Sequence, residues 1–287
     1  MKEKYQLTEL YKHYIDSPLR SVKHSSYFLT YESLLEQYRN KPITFVEVGI
    51  HNGGSLFMWR NFFGENARII GVDLNPNVKE LEKYGYEIFI GNQSENSFWK
   101  KFFKDVGNVD VLLDDGGHTY EQQIKTVINS LDYIKDGGMI IVEDTHTSYF
   151  RNFGYPYRYT FIKWAYKISD NINARFEKVS IKNPKFKDSI YSIEFFESIV
   201  SFKIDRTKCS DSKPTSNNSE TMNYEDYRYS RTRIERLLDV LLSFEKKYSS
   251  KKRNLLLKIL LKLNSIIYLY TQNIFNRYRS FKLRKLF

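Results

Sequence analysis

Five short apolar runs, separated by turns and helix-forming stretches, dominate residues 43–146 of this 287-residue chain. Each run is rich in β-branched and aromatic residues and is short enough for a buried strand. Strands that alternate with helices form a parallel sheet with helices on both faces. The pattern therefore predicts an α/β, Rossmann-like, doubly wound fold. The predicted strands are 43–49, 67–76, 86–93, 109–115 and 139–146.

The rest of the chain divides around this central pattern. A helix is predicted over 158–173, and two strand-like runs, 175–182 and 190–204, predict an antiparallel hairpin that completes a mostly parallel sheet. Residues 206–223 have no apolar run and are rich in Ser, Asn and Thr, which is typical of a linker. We expect four segments: an N-terminal helical lid over 1–41, a central domain over 42–205, the linker over 206–223, and a basic helical tail over 224–287.

The net charge of +11 comes from the tail. Residues 228–287 hold 16 Lys/Arg and 3 Asp/Glu, whereas the preceding 227 residues hold 29 and 31. Because the body of the chain is near neutral, we expect no nucleic-acid partner. The single cysteine, Cys209, and an N-terminus without the apolar core of a signal peptide predict a cytoplasmic location.

The first predicted strand runs into a glycine turn, "EVGIHNGGS" (47–55). Ligands of open α/β sheets bind beyond the carboxyl ends of the strands, so this turn is a candidate cofactor loop. A dinucleotide-binding turn needs a glycine where this chain has His51, because the backbone there approaches a pyrophosphate. An oxidoreductase is therefore disfavoured. The E-x-G-x-x-x-G spacing instead resembles the first motif of class I S-adenosylmethionine (SAM) methyltransferases, whose ligand has no phosphate.

That resemblance implies cofactor contacts at consecutive strand ends. The glycine turn would line the amino-acid part of SAM, Asp73 would hold the ribose hydroxyls, and Gln93 would contribute to the adenine contacts. A tight turn and a helix-capping Asp73 are the alternative interpretation. The predicted cofactor-binding residues are Glu47, Gly49, Asn52, Ser55, Asp73, Gln93 and Asp114.

Carboxylates are concentrated after the fourth and fifth strands, in "VDVLLDDGGHTYEQQ" (109–123) and "MIIVEDTH" (139–146). Adjacent parallel strands would bring four acids together, where they repel unless a cation lies among them. Oxygen ligands without cysteine suit Mg²⁺, Mn²⁺ or Ca²⁺ rather than Zn²⁺. We predict that Asp115 holds the metal and that His118 accepts a proton. Loop caps and a helix-start histidine are the alternative.

These motifs resemble one group of enzymes. "FVEVGIHNGGSLFMW", "GNQ", "LLDDGGHTYEQQ" and "DGGMIIVEDTHTSY" resemble the metal-dependent sugar O-methyltransferases of the macrocin and mycinamicin type, and equally the related cephalosporin-hydroxylase-like proteins. The resemblance covers about residues 20–205 and is strongest in the D-G-x-H and E-D pairs. It implies SAM and Mg²⁺ (or Mn²⁺) as cofactors. It also implies that Asp115, Glu143 and Asp144 bind the metal and that His118 is the base, with Asp115 and His118 as the catalytic pair.

Two further segments are candidates for substrate contacts. "KHSSYF" (23–28) resembles the lid segment that precedes strand one in this family, which implies SAM or substrate contacts for Lys23, His24 and Tyr27. An exposed helix face is the alternative. His146 and Tyr149, which follow the fifth strand, are tentative substrate contacts.

The tail contains a long apolar stretch, 254–275, which Lys258 and Lys262 interrupt too often for a membrane span. Its broad apolar face predicts packing against the catalytic domain or a second subunit. A basic-flanked helix of this kind can also lie at a membrane interface, where anionic lipid attracts it. Both interpretations stay open.

Together these patterns predict a SAM- and divalent-metal-dependent O-methyltransferase. Its acceptor would be a hydroxyl of a sugar, linked to a nucleotide or carried as a polysaccharide precursor. The alternative is a non-catalytic assembly factor with a methyltransferase fold, whose basic tail recruits glycosyltransferases at the membrane. The complete set of Asp115, His118, Glu143 and Asp144 favours the enzyme, because a binding module does not need it.

Overall fold

A computed structural model describes residues 3–180, 183–220, 222, 233–249 and 255–286. It divides into two compact units, Met1–Pro214 and Thr215–Phe287. The described part of the first unit is built on a seven-stranded sheet with the order β3-β2-β1-β4-β5-β7-β6. The strands are β1 (Thr44–Val48), β2 (Arg68–Asp73), β3 (Glu87–Ile90), β4 (Val109–Asp114), β5 (Ile134–Val142), β6 (Ile190–Phe195) and β7 (Val200–Ile204).

The first five strands are parallel, and β7 lies antiparallel between β5 and β6. The α-helices of this unit are α1 (Glu9–Ile15), α2 (Ser25–Leu35), α3 (Gly54–Phe63), α4 (Asn96–Val106), α5 (Tyr120–Ser130), α6 (Phe161–Asn173) and α7 (Pro184–Ser189). The predicted fold class, a doubly wound and mostly parallel sheet with a C-terminal antiparallel hairpin, is confirmed.

Helices cover both faces of the sheet, as the near-continuous apolar strands require. Successive strand residues point to opposite faces, so Phe45 packs in the cluster that includes α2 and α3. Its neighbour Val46 packs in a second cluster with α4, α5 and α6. The largest buried side chains, Trp59 and Trp99, lie on opposite faces. Each contributes roughly 1.5–3 kcal/mol through burial, as large apolar side chains do.

The order of the strands places a switch point at β1, which pairs with β2 on one side and β4 on the other. Val48 is opposite Asp114, and Asp114 is opposite Val142. The ladder continues beyond the strands, because Asp115 N donates to Val48 O (2.9 Å) and Glu143 N donates to Asp114 O (2.9 Å). The acids that follow β4 and β5 are therefore fixed at one edge of the sheet, beside the glycine turn.

The hairpin uses a different segment from the one predicted. Both of its strands lie within 190–204, and the described residues 175–180 form turns rather than a strand; residues 181–182 lie outside the described residues. The overlooked signal is Asn183–Pro184: the Asn183 side chain accepts from Lys185 N, and Pro184 occupies the first position of α7. The turn of the hairpin contains Ser198 in the left-handed region (φ 61°).

Element boundaries also move by a few residues. The N-terminal lid, predicted to be helical over 1–41, is interrupted, because α2 begins only at Ser25 and residues 21–24 are irregular. Strand β5 starts at Ile134 and ends at Val142, so Glu143 and Asp144 follow the strand rather than belong to it. Asp144 has a positive φ of 52°, which turns the chain sharply at this point.

The second unit contains two described α-helices, α8 (Arg233–Ser249) and α9 (Leu255–Leu283). They pack together, and Asn264 Nδ2 donates to Leu241 O (2.9 Å). Among the described residues, no helix is long and apolar enough to cross a membrane. Residues 223–232, where the predicted linker meets the tail, lie outside the described residues. The predicted domain limits stay predictions.

Candidate functional site

The glycine turn after β1 is held by a close approach to the loop after β4. Gly49 has φ +84°, and a Cβ atom at this position would collide with the carbonyl oxygen of Asp115. Gly49 N also donates to Val72 O (2.7 Å). Only glycine allows both the left-handed backbone and this contact. The turn thus holds together the carboxyl ends of β1 and β2 and the loop that contains Asp115.

Asp73 ends β2 and is hydrogen-bonded to the turn beside it. Its Oδ2 accepts from Ile50 N (3.0 Å) and His51 N (3.2 Å), and its Oδ1 accepts from Asn75 N (2.9 Å). A carboxylate has about four lone-pair sites, so three backbone bonds leave room for one ligand hydroxyl. Asp73 does not cap a helix, because Asn75 caps the helix that follows it (Pro76–Tyr84); Asp73 fixes the turns on both sides and also lines the adjoining cavity.

A cavity of about 600 Å³ opens at this edge of the sheet. The glycine turn, the loop after β3 and the Asp115 loop form its walls, and residues 20–22 cover one side. Its described lining includes eight of the predicted site residues: Gly49, Asn52, Ser55, Asp73, Gln93, Asp115, His118 and Asp144.

Three predicted cofactor contacts, Glu47, Gln93 and Asp114, have buried side chains that form hydrogen bonds within the protein. Glu47 is buried and accepts from Ser55 Oγ (2.6 Å). Gln93 donates through Nε2 to Asp114 Oδ1 (2.9 Å) and Thr126 Oγ1 (3.0 Å) and accepts from Gly117 N (3.0 Å). Asp114 is buried, and its Oδ2 has no hydrogen-bond partner among the described residues. In this structure Glu47, Gln93 and Asp114 support the turns, and cofactor contact through these side chains stays a prediction.

Lys23 lies at the centre of the acidic edge. Its side chain is 1% exposed, and its Nζ donates to Asp115 Oδ2 (2.6 Å) and to both carboxylate oxygens of Glu143 (2.9 and 3.1 Å). Glu47 Oε1 lies 3.4 Å away. The sequence predicted repulsion that a metal ion would relieve, and the structure places an ammonium group there. One ammonium among the carboxylates of Glu47, Asp115, Glu143 and Asp144 still leaves excess negative charge.

Two opposing effects determine the pKa values in this cluster. Burial disfavours the charged form of each group, and ion pairing favours it. Burial lowers the pKa of Lys23, but the neighbouring carboxylates outweigh it, so the pKa of Lys23 is raised. Burial raises the pKa of Glu143 to about 7, and the Lys23 ammonium limits this shift. Burial also raises the pKa of Asp115 and Glu47. The pKa of each of these acids is therefore raised, because the single ammonium of Lys23 offsets only part of the effect of burial.

Two groups of described residues could hold a metal ion: Asp115, His118 and Asp144, and His24, Asp144 and His146; in each, one ligand atom per residue lies within 4.8 Å of the others. The first group lines the 600 Å³ cavity. His118 Nε2 lies 3.3 Å from Asp144 Oδ2 and 4.0 Å from Asp115 Oδ1. Two carboxylates and an imidazole suit a divalent cation, so the donor chemistry fits. Glu143 is adjacent in the chain, but its oxygens face Lys23 instead of joining this group.

The backbone aims His118 into the cavity. It has φ 57°, an uncommon conformation for histidine, and Thr147 Oγ1 donates to its carbonyl oxygen (3.1 Å). Its Nδ1 is buried without a hydrogen-bond partner among the described residues. His118 directly precedes Thr119, the N-cap of α5, so it lies at a helix start as the alternative held. Its role as a base stays a prediction.

The predicted substrate contacts lie in different places. Lys23 is buried in the acidic cluster described above, and the other four are outside it. His24, Tyr27 and His146 line a second cavity of about 660 Å³ on the other side of Asp144. The Tyr27 hydroxyl donates to Asp144 Oδ1, and burial together with that bond raises the pKa of Tyr27. Tyr149 is 51% exposed, with its ring near Tyr157, and is outside both cavity linings as the structure describes them.

Sequence reasoning missed two contributors. Ser198, in the β6–β7 turn, places its hydroxyl oxygen 2.9 Å from the Tyr27 hydroxyl oxygen and 2.5 Å from His146 Nδ1. Residues 20–22 line the first cavity ahead of α2. No local motif marks either, because both reach the site through long-range packing.

The comparisons with known proteins agree with this geometry. Residues 46–145 match the family model described as a methyltransferase domain. The chain is 30% identical over 131 residues to 8-demethyl-8-(2-methoxy-alpha-L-rhamnosyl)-tetracenomycin-C 3'-O-methyltransferase of Streptomyces olivaceus, covering 43% of this chain and 33% of that one. It is 29% identical over 132 residues to demethylmacrocin O-methyltransferase of Streptomyces fradiae, covering 43% and 33%. The match thus spans about a third of the length of these relatives.

The fold resembles the solved structure of MycE methyltransferase from the mycinamycin biosynthetic pathway in complex with Mg, SAH and mycinamycin VI. The TM-score is 0.62 at 22% identity, covering 71% of this chain and 55% of that one. The resemblance to class I methyltransferases of the macrocin and mycinamicin type, which the motifs predicted, is thereby confirmed over the compared region.

Proposed function

We propose that this protein is a SAM- and divalent-metal-dependent O-methyltransferase that acts on a hydroxyl group of a sugar. The observation that carries the proposal is the convergence of Asp115, His118 and Asp144 on the cavity formed by the glycine turn. A turn that only needed caps would not require three ionisable side chains within 4.8 Å of one another.

The 600 Å³ cavity is the proposed SAM site. Its volume suits a small-molecule cofactor, and it lies at the switch point where such folds bind ligands. Asp73 has one remaining acceptor position, which suits a ribose hydroxyl, while Gly49 and Asn52 present backbone and amide groups. His51 stands where a pyrophosphate would approach, which supports SAM over a dinucleotide.

Asp115 and Asp144, with Glu143, are the proposed ligands for Mg²⁺ or Mn²⁺. The fit rests on the carboxylate oxygens of Asp115 and Asp144, whose neighbour His118 we assign to proton transfer instead, and on the excess of carboxylates over the single buried ammonium of Lys23. When bound, the cation would position and acidify the acceptor hydroxyl. Without the cation, the carboxylates would repel the negative charge that develops on the acceptor oxygen as it loses its proton.

His118 is the proposed general base. Its Nε2 lies 3.3 Å from Asp144 Oδ2 and 4.0 Å from Asp115 Oδ1, so it would take the proton of a hydroxyl held beside these acids as the oxygen attacks the SAM methyl carbon. The carbon–sulfur bond would break with its electron pair left on sulfur, which would give S-adenosylhomocysteine and a methyl ether. Thr147, through its bond to the His118 carbonyl, fixes the backbone of the turn that carries the imidazole.

The acceptor class rests on the relatives, one of which is named for methylation of a rhamnosyl tetracenomycin. The finer proposal for this chain is a nucleotide-linked sugar or polysaccharide precursor, whose hydroxyls the polar lining of the second cavity suits. A non-catalytic assembly factor would have no need of an oriented His118 beside two carboxylates, so the enzyme is the better supported function.

The test is a search for methylated products across activated sugars by mass spectrometry, with and without EDTA. We expect a mass increase of one CH₂ unit that EDTA abolishes and Mg²⁺ or Mn²⁺ restores. SAM binding, followed by calorimetry, should persist in EDTA because Asp73 and the glycine turn lie outside the acid group. Turnover that is unaffected by EDTA would contradict the metal requirement.

We also propose that the second unit binds anionic membrane surfaces peripherally, on the cytoplasmic side. The described helix α9 contains five basic residues and no acidic residue: Lys258, Lys262, Arg277, Arg279 and Lys282. Exposed apolar side chains accompany them, including Leu256, Ile259, Ile266 and Ile274. This combination favours an interfacial helix. Self-association through the same apolar surface is the competing outcome.

A further inference from the structure

The buried ammonium of Lys23 uses the same atoms that a metal ion would need. Asp115 Oδ2 accepts from Nζ at 2.6 Å, and both oxygens of Glu143 accept at 2.9 and 3.1 Å. A divalent cation on these oxygens would lie within a few ångströms of Nζ, and two buried positive charges so close repel strongly. The ammonium and the metal are therefore alternative occupants.

Lys23 belongs to an irregular segment, residues 17–24, which we term the strap. One end is fixed on α3: Ser17 Oγ donates to Gly54 O (2.8 Å), and a Cβ atom at Gly54 would collide with Leu19 O. The other end is fixed by Lys23 in the acidic cluster. Between these ends, residues 20–22 line the 600 Å³ cavity. The strap thus covers the proposed cofactor site and is closed by an ion pair.

We propose that Lys23 is a displaceable counter-ion, whose ammonium holds Asp115 and Glu143 until a divalent cation takes their oxygens and thereby releases the end of the strap. This inference rests on the proposed metal requirement and adds the residue that competes with the metal. Lys23 is a positioning residue, since it acts through the carboxylates. Binding of a cation to the acidic cluster would thus free the end of the strap and open the cofactor cavity that the strap covers.

A pulse-labelling experiment on the full-length wild-type protein tests the exchange directly. An amine-acetylating reagent is applied briefly, with and without saturating Mg²⁺, and peptide mass spectrometry measures acetylation of each lysine. We expect Lys23 to be protected without the ion and at least fivefold more reactive with it. The exposed Lys101 is the internal control and should be labelled equally in both conditions.

A matched pair of variants tests the competition. Lys23→Met removes the competing charge, so Mn²⁺ affinity, measured by electron paramagnetic resonance, should rise at least tenfold. Lys135→Met is the control. Lys135 pairs with Asp110 (2.8 Å) at the amino ends of β4 and β5, away from the acidic cluster, so this variant should leave Mn²⁺ affinity unchanged. Unfolding of Lys23→Met does not remove the test, since the labelling uses wild-type protein.

The outcomes separate this inference from the proposed function. If Mn²⁺ binds the wild-type protein while Lys23 stays protected, the ion occupies the Asp115–His118–Asp144 group beside the ammonium, and the exchange is wrong although the metal requirement survives. If neither the wild-type protein nor the Lys23→Met variant binds Mn²⁺, the proposed metal requirement fails together with the exchange.

Discussion

Asp144 stands among three imidazoles, those of His24, His118 and His146, and the proposed chemistry depends on this arrangement at the scale of single residues. Its Oδ2 faces His118 Nε2 at 3.3 Å, and its Oδ1 faces His146 Nδ1 at 3.9 Å. His118 lines the proposed SAM cavity, whereas His146 lines the second cavity. We therefore propose separable roles for His118 and His146, with His118 in proton transfer and His146 in acceptor contact.

His118→Ala should lower kcat by about 10²–10⁴-fold, the usual contribution of a general base. Mn²⁺ and SAM affinity should stay unchanged, because the proposed ligands are carboxylates and the cofactor contacts are elsewhere. His146→Ala is the matched control, and we expect mainly a higher KM for the acceptor. Single-turnover kinetics and Mn²⁺ titration measure these effects. Loss of Mn²⁺ binding in His118→Ala would make His118 a ligand instead of the base.

Asp73→Ala should weaken SAM binding by about 1.5–3 kcal/mol, the range for hydrogen bonds to a charged group. The substitution also removes three backbone bonds from the glycine turn, so thermal unfolding is measured in parallel. Asp110→Ala is the control, because Asp110 accepts from Thr44 N (2.8 Å) at the opposite edge of the sheet. Equal loss of SAM affinity in both variants would attribute the effect to stability alone.

At the scale of elements, an ion pair between Arg68 and Glu87 joins β2 to β3, the outermost strand on that side of the sheet. Arg68 Nε and Nη2 each donate to one oxygen of Glu87 at 2.6 Å. The hydrogen bond from Arg68 lowers the pKa of Glu87. Both side chains are more than a third exposed, so solvent screening keeps the coupling small.

A double-mutant cycle with Arg68→Met and Glu87→Gln should give a coupling free energy of about 0.2–1 kcal/mol at pH 7. Because the folded pKa of Glu87 lies below its usual value of 4.5, the stabilisation is complete above that pH. It should decrease as the pH falls through the folded pKa. Urea unfolding at neutral and acidic pH measures the change. A coupling that grows on acidification would contradict the assigned cause.

At the scale of the whole molecule, the chain combines a near-neutral α/β unit with a basic helical unit. The excess charge of the latter is concentrated with exposed apolar side chains on α9. Each lysine near an anionic bilayer surface contributes about 1 kcal/mol, which falls off within a Debye length. Membrane attachment would be a property of the second unit alone and independent of the catalytic groups.

Replacing Lys258, Lys262 and Lys282 together by Gln should reduce sedimentation with anionic liposomes by about 100-fold in partition coefficient, from roughly 3 kcal/mol of lost attraction. Methyl transfer to a soluble acceptor should be unchanged. The control replaces Lys100, Lys101 and Lys104, which are exposed on α4. If both triple variants bind liposomes as the wild type does, and analytical ultracentrifugation shows an oligomer, the apolar surface of α9 serves self-association instead.

The sequence by itself determined the fold class and the edge of the sheet that carries the site. Local patterns suffice there, because strand-forming runs, glycine turns and acids after strands are properties of neighbouring residues. The same patterns brought Asp115, His118 and Asp144 together, since parallel strands end at one edge. They failed for the hairpin, where residues 175–182 have a strand-like composition but the cap at Asn183–Pro184 starts a helix instead.

Tertiary structure alone decided which positive charge occupies the acidic edge. Lys23 lies 92 residues from Asp115 and 120 from Glu143 in the chain, and nothing in its local sequence specifies burial among carboxylates. Ser198 likewise reaches Tyr27 and His146 only because β7 pairs with β5. Periodicity and spacing report on neighbours a few residues apart. Ion pairs between distant segments depend on how the strap and the hairpin pack, which only the folded chain defines.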